Sequence, residues 1–173
     1  MASPKNPVPG SERAPLAGSR AVGAADADER LEVTVCVRSR SGKQLQDLVG
    51  QMSRAEAAGA PQPLTREQFE ESYGAAPADL DKIEAFAKEY GLVVVEKNAG
   101  QPRVVLSGTV GQFTAAFGVR LENYEHPSGT YRGRTGAVQV PDNLKDIVDG
   151  VFGLDDRPQA QSHLRHEGSR GKV

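Results

Sequence analysis

Residues 30–40 read RLEVTVCVRSR. Leu31, Val33, Val35 and Val37 alternate with Glu32, Thr34, Cys36 and Arg38. A period of two with β-branched residues sets one apolar row on a single strand face. The opposite row is polar but not heavily charged. Such a strand predicts a sheet with a packed side and a second side that either faces water or receives a partner.

Downstream, Leu45, Leu48, Val49 and Met52 recur at helical spacing, with Gly59 as a stop. In LTREQFEESYG (64–74), Thr65 and Gln68 form a capping box and Gly74 ends a short helix. A further helix over 76–91 has Pro77 in its first turn, Gly91 after its end, and a stripe of Leu80, Ile83, Phe86, Ala87 and Tyr90. LVVVEK and RVVLSG, joined by NAGQP, predict a hairpin. Thr109 and Gln112 cap another short helix that turns Val110, Phe113 and Phe117 inward. VRLENYE (119–125) reads as a strand, HPSG as a turn, TYRGR as the returning strand, and AVQVP as a short extended piece. DNLKDIVDGVFG (142–153) predicts a last helix, capped by Asp142 or Asn143, with Leu144, Ile147, Val148 and Val151 as its stripe.

This βαββαβ order predicts an α+β fold: a ferredoxin-like antiparallel sheet with helices on one face. Thr34, Cys36 and Arg38 are expected on the uncovered face, joined by Tyr124 and Tyr131. Residues 1–29 are rich in Pro, Gly, Ala, Ser and charge. Too little apolar area is available there to offset ordering entropy, so they are expected to be disordered or loosely docked. The division is therefore 1–29 extension, 30–157 core, and 158–173 extended linker.

The 173 residues suit one domain and carry a formal net charge of −2. That balance argues against a nucleic-acid partner, which calls for a strongly basic field. Positive charge is local instead, at Arg157, Arg165, Arg170 and Lys172. No apolar stretch approaches the roughly 20 residues that span a bilayer, so no membrane partner is expected, and the N-terminus has no signal-peptide pattern. A lone cysteine, Cys36, excludes an internal disulfide and a CxxC site.

Little points to catalysis. His126 precedes Pro127 in a turn; His163 and His166 have HxxH spacing but no third ligand or rigid element, so no metal site is expected. LSGTVG lacks the lysine and spacing of a phosphate cradle. The neighbouring carboxylates Asp155–Asp156 and Glu70–Glu71 read as charged surface. No serine sits in a nucleophile elbow.

The ordered set Ala116-Phe117-Gly118-Val119, Tyr124 with His126-Pro127, Gly129, Tyr131-Arg132, Val140-Pro141, and Val151-Phe152-Gly153-Leu154-Asp155 through Arg157-Pro158 resembles the activation prodomain of the sedolisin family, the serine-carboxyl peptidases. VTVCVR, LTREQFEESYGA and FAKEYGL fit as well, so the resemblance covers roughly residues 30–167. It implies a subtilisin-prodomain-like sandwich that assists folding of the peptidase and inhibits it until acidification. The partner is then a cognate sedolisin-family peptidase domain, in cis or in trans, and the setting is extracellular. The family's catalytic Glu, Asp and Ser and its calcium belong to the peptidase domain, so the resemblance implies no catalytic residue and no cofactor here.

On this reading the bare sheet face packs on the peptidase, and the chain after Pro158 runs through its cleft as an added strand. By position, His163–Leu164 is the bond expected to be cleaved. The interface set is Thr34, Cys36, Arg38, Glu122, Tyr124, Tyr131, Asp155, Asp156 and Arg157. Acid release is expected at about pH 4 if Asp155, Asp156 or Glu122 pair with cations of the peptidase. The competing reading is a stand-alone ferredoxin-like module for ligand binding or dimerisation.

Overall fold

The computed structural model describes residues 4–41 and 65–157. The helix expected over 42–59 and the linker from 158 onward, with His163 and Leu164, lie outside the described residues.

Strand β3 (Arg30–Val37) buries Leu31, Val33, Val35 and Val37 and leaves the alternate residues at least partly accessible. The alternation in sequence is thus the alternation in space. Among the described residues two helices precede the next strand. In α1 (Arg66–Tyr73) the Thr65 hydroxyl accepts from the Gln68 amide and the Gln68 side chain returns to the Thr65 amide. Helix α2 (Pro77–Glu89) begins on its proline and buries Leu80, Ile83, Phe86 and Ala87. The hairpin of β4 (Val93–Asn98) and β5 (Arg103–Thr109) follows, then α3 (Val110–Phe117) with its own Thr109–Gln112 capping box. Gly118, at φ 59°, ends α3 in the left-handed conformation that glycine adopts without penalty.

The principal sheet is antiparallel, with strand order β4-β5-β3-β9, where β9 is Val148–Phe152. Numbered along the βαββαβ chain this is 2-3-1-4, a ferredoxin-like sheet. Leu31, Val33, Val35, Val104 and Leu106 on its inner face share one core with Ile83, Phe86, Phe113 and Phe117 of α2 and α3. Both helices therefore lie on the same side.

The fourth strand is not the one expected. Residues 119–125 begin β6 (Leu121–His126), which pairs with β7 (Gly129–Arg134) in a separate three-stranded sheet. The segment expected as the last helix is a 3-10 turn, Asp142–Leu144, followed by β9. Val148 and Val151 stand at helical spacing, and a bulge at Asp149 brings both to the core side of a strand. The sheet wins because β3 has a free edge beside its apolar core row, and β9 fills it from Val148 to Phe152.

Residues expected to be disordered or loosely docked also hold structure. β1 (Lys5–Pro7) pairs with β8 (Gln139–Pro141), and β2 (Arg20–Ala24) pairs with β6. Val8 is buried between them and the core. Composition argues correctly that this arm has no core of its own. It is ordered by lending backbone groups to strands more than a hundred residues away.

Candidate interaction surface

The face of the principal sheet turned from the helices is built by pairing. Thr34 lies opposite Phe152 on one side and Val105 on the other; Cys36 lies opposite Gly150 and Arg103. Val105 is followed outward by the β4 bulge, where Val95 and Glu96 share the space of one residue, and Ser107 by Val93. Phe152 and Val93 are each 56% exposed and Val95 is 54% exposed. The Phe152 ring lies over Gly150, whose missing side chain makes room: a Cβ there would sit 2.9 Å from the ring. The result is a strip with apolar side chains on β4, β5 and β9 and the polar Thr34 and Cys36 of β3 between them. Isolated surface hydrophobes mean little, but a contiguous band on a sheet face marks an interaction surface.

Charges border the strip. Arg103 Nη2 donates to Glu96 Oε1 at 3.1 Å, while Arg103 Nε is buried with no acceptor among the described residues. Asp149 sits at the bulge where β9 slips against Cys36 and Val37. Burial raises its carboxyl above the usual range, with Arg38 partly opposing. The Cys36 thiol is also pushed up, first by burial and then by Asp149, against a smaller opposite pull from Arg103. It is a protonated, half-buried thiol, not a nucleophile.

Only two of the expected interface residues, Thr34 and Cys36, lie on this face. Arg38 follows β3 but turns to the helix side, where its fork meets buried Asp79 of α2 at 2.8 and 3.3 Å. Tyr124 and Tyr131 belong to the three-stranded sheet. Both are buried and stacked, with centroids 5.2 Å apart. The Tyr124 hydroxyl donates to Glu122 at 3.0 Å. Asp155, Asp156 and Arg157 are engaged within their own chain: Asp155 with Arg157, and Asp156 with the backbone amide of Arg132 at 2.5 Å. Glu122, Asp155 and Asp156 each take part in hydrogen bonds within the chain.

Sequence reading missed Val93, Val95, Arg103, Val105, Asp149 and Phe152. The run Val93-Val94-Val95 was legible as a strand, but not the bulge that sets Glu96 beside Val95 on the outward face. Phe152 and Asp149 were hidden by the helical reading of their segment. Among the described residues no group of three His, Cys, Asp or Glu side chains converges, and no helix is long and apolar enough to cross a membrane.

Residues 17–157 match the family described as Pro-kumamolisin, activation domain. The chain is 39% identical over 138 residues to kumamolisin from Bacillus sp., covering 80% of this chain and 25% of that protein. It is 28% identical over 167 residues to tripeptidyl-peptidase sed5 from Aspergillus fumigatus, covering 87% of this chain and 28% of the relative. With sedolisin from Pseudomonas sp. the identity is 25% over 139 residues, 80% of this chain and 24% of the relative. The chain thus spans about a quarter of the length of the curated relatives it matches.

Proposed function

Because the chain belongs to the Pro-kumamolisin activation domain family, we propose that it assists the folding of a sedolisin-type serine-carboxyl endopeptidase and inhibits it until the surroundings acidify. The observation that carries this reading is the apolar strip of Val93, Val95, Val105 and Phe152 on an otherwise finished domain. One sheet face is sealed by helices; the other offers a surface suited to a folded partner. The strip seats against the peptidase, and the segment beyond 157 fills its cleft. Two linked contacts reinforce one another through effective concentration. The action is extracellular, with the peptidase joined in the same chain or met as a separate one.

The acid step falls to Asp149 beside the strip rather than to Asp155, Asp156 or Glu122. In the free domain Asp155 is paired with Arg157, Asp156 accepts from the Arg132 amide, and Glu122 accepts from the Tyr124 hydroxyl. A peptidase cation facing Asp149 lowers its carboxyl on docking. The resulting stabilisation is present above the free pKa and is lost as pH falls through the bound value.

The test is to titrate a sedolisin-family peptidase with this chain at neutral pH and follow peptide hydrolysis. Stoichiometric loss of activity, regained on acidification, is expected. Undiminished hydrolysis at a large excess of the chain overturns the reading.

A further inference from the structure

The apolar strip leaves unexplained a second concentration of contacts, where the chain leaves β9. Gly153 turns there at φ 102°, so close to β3 that a Cβ would lie 2.6 Å from the Glu32 carbonyl oxygen. Leu154 is buried. The next three residues are then held by groups outside the principal sheet. The Asp156 amide donates to the Arg132 carbonyl at 3.0 Å, and Arg132 Nε donates to the Leu154 carbonyl at 3.2 Å. Arg132 is itself fixed by Glu29 at 2.5 Å.

Arg157 has the most partners. Its Nε donates to both Asp155 carboxylate oxygens at 2.8 Å, Nη2 joins the same carboxylate, and Nη1 donates to the Ala14 carbonyl at 2.8 Å. Its guanidinium lies over the Tyr131 ring, 5.6 Å from the centroid. The Tyr131 hydroxyl in turn accepts from the Leu16 amide and donates to Ser19 Oγ, both at 3.0 Å.

We propose that the N-terminal arm, residues 4–24, clamps the root of the C-terminal segment, and that Arg157 is the positioning residue through which the clamp sets the direction in which the chain leaves the domain. An exposed ion pair contributes little and restrains little. This one differs: both partners are only 13% exposed, the contact is forked, and an aromatic face backs the cation. The Ala14 carbonyl and the Tyr131 ring, itself held by Leu16 and Ser19, tie that pair to the arm. A tethered segment acts at an effective concentration that depends on where its root points. A clamp on the root therefore tunes inhibition without touching the docking strip. This rests on the inhibitory reading above.

The experiment compares Arg157→Gln, Arg157→Lys and Tyr131→Phe in the full chain. Three quantities are read: amide hydrogen exchange at Arg132 and Asp156, inhibition of a sedolisin-family peptidase, and docking to the same peptidase with its cleft blocked by a covalent active-site inhibitor. For Arg157→Gln the expectation is at least about tenfold faster exchange and inhibition weaker by about 10- to 100-fold, with docking to the blocked enzyme unchanged. Arg157→Lys recovers part of the loss; Tyr131→Phe loosens Leu16 and weakens inhibition by a smaller factor. Unchanged exchange in Arg157→Gln overturns the clamp. Docking to the blocked enzyme that falls in step with inhibition makes Arg157 an interface residue and overturns its positioning role. If the wild-type chain fails to inhibit, the functional reading fails, and the exchange data alone still decide the clamp.

Discussion

In the principal sheet, β5 sends Val104 and Leu106 into the core, and the helices meet them with Phe113 and Phe117. In the three-stranded sheet, β7 buries Tyr131, Arg132 and Arg134 in the same kind of position. One sheet is held by apolar burial, which is non-directional and tolerant of detail. The other is held by donors that each need a particular acceptor. Arg134, for instance, reaches the Gly136 carbonyl at 2.5 Å and the Ser11 carbonyl at 2.6 Å, the latter 123 residues away. Buried polar groups contribute modestly when paired and cost heavily when orphaned. The first sheet should therefore fail by loss of volume, and the second by loss of a single partner.

The sharpest break of that contrast is Phe113→Ala. A fully buried ring lost from a close-packed core costs about 3–5 kcal/mol, read as a shift of the denaturant midpoint. A loss below 1 kcal/mol, on the order of an exposed substitution, would mean the helix–sheet core collapses freely. Next comes Arg134→Met, which keeps bulk but leaves the Ser11 carbonyl without its donor and the Gly136 carbonyl with the Arg13 amide alone. About 1–3 kcal/mol is expected, with hydrogen exchange accelerating at the Arg13 and Val138 amides before it does in β3. Uniform acceleration would erase the distinction between the sheets.

Phe152→Ser probes the open face. Its side chain is more than half exposed, so the free domain should change by no more than about 0.5 kcal/mol, while docking to the peptidase weakens at least about tenfold. A large loss of stability would show that the strip belongs to the core. The smallest effect is expected for Asp149→Asn. Burial raises this carboxyl in the folded domain, so its charged form opposes folding at neutral pH. Asparagine should stabilise by less than about 0.5 kcal/mol, because solvent screens a largely exposed group. The gain should vanish as pH falls through the folded pKa toward the unfolded one, near 3.9. Thermal midpoints measured from pH 7 to 3 decide it; a gain that grows on acidification reverses the sign.

The same contrast explains what the sequence disclosed. Strand β3, both capping boxes, the β4–β5 hairpin and the bare face carrying Thr34 and Cys36 follow from periodicity and local hydrogen-bond chemistry. β9 did not, because a valine pair three residues apart, Val148 and Val151, suits a helix until a sheet edge competes for it. Nor did the arm: β1 and β2 have no amphipathic period, and their order depends on acceptors in β6 and β8. The tyrosines were assigned to the open face because an aromatic in an alternating strand looks the same in either sheet. Only their hydroxyl partners, Glu122 for Tyr124 and Ser19 with Leu16 for Tyr131, distinguish them, and those are tertiary facts.

The pairing of Lys5–Pro7 with Gln139–Pro141 also sets an order of events. A contact spanning so much sequence carries a high loop-closure cost until the intervening chain has collapsed. During vectorial synthesis β1 emerges well before its partner β8, so the arm should dock late and in a slow kinetic phase. Lys5, which caps the end of α3 through the Ala115 and Ala116 carbonyls, would then report completion of the domain rather than its nucleation.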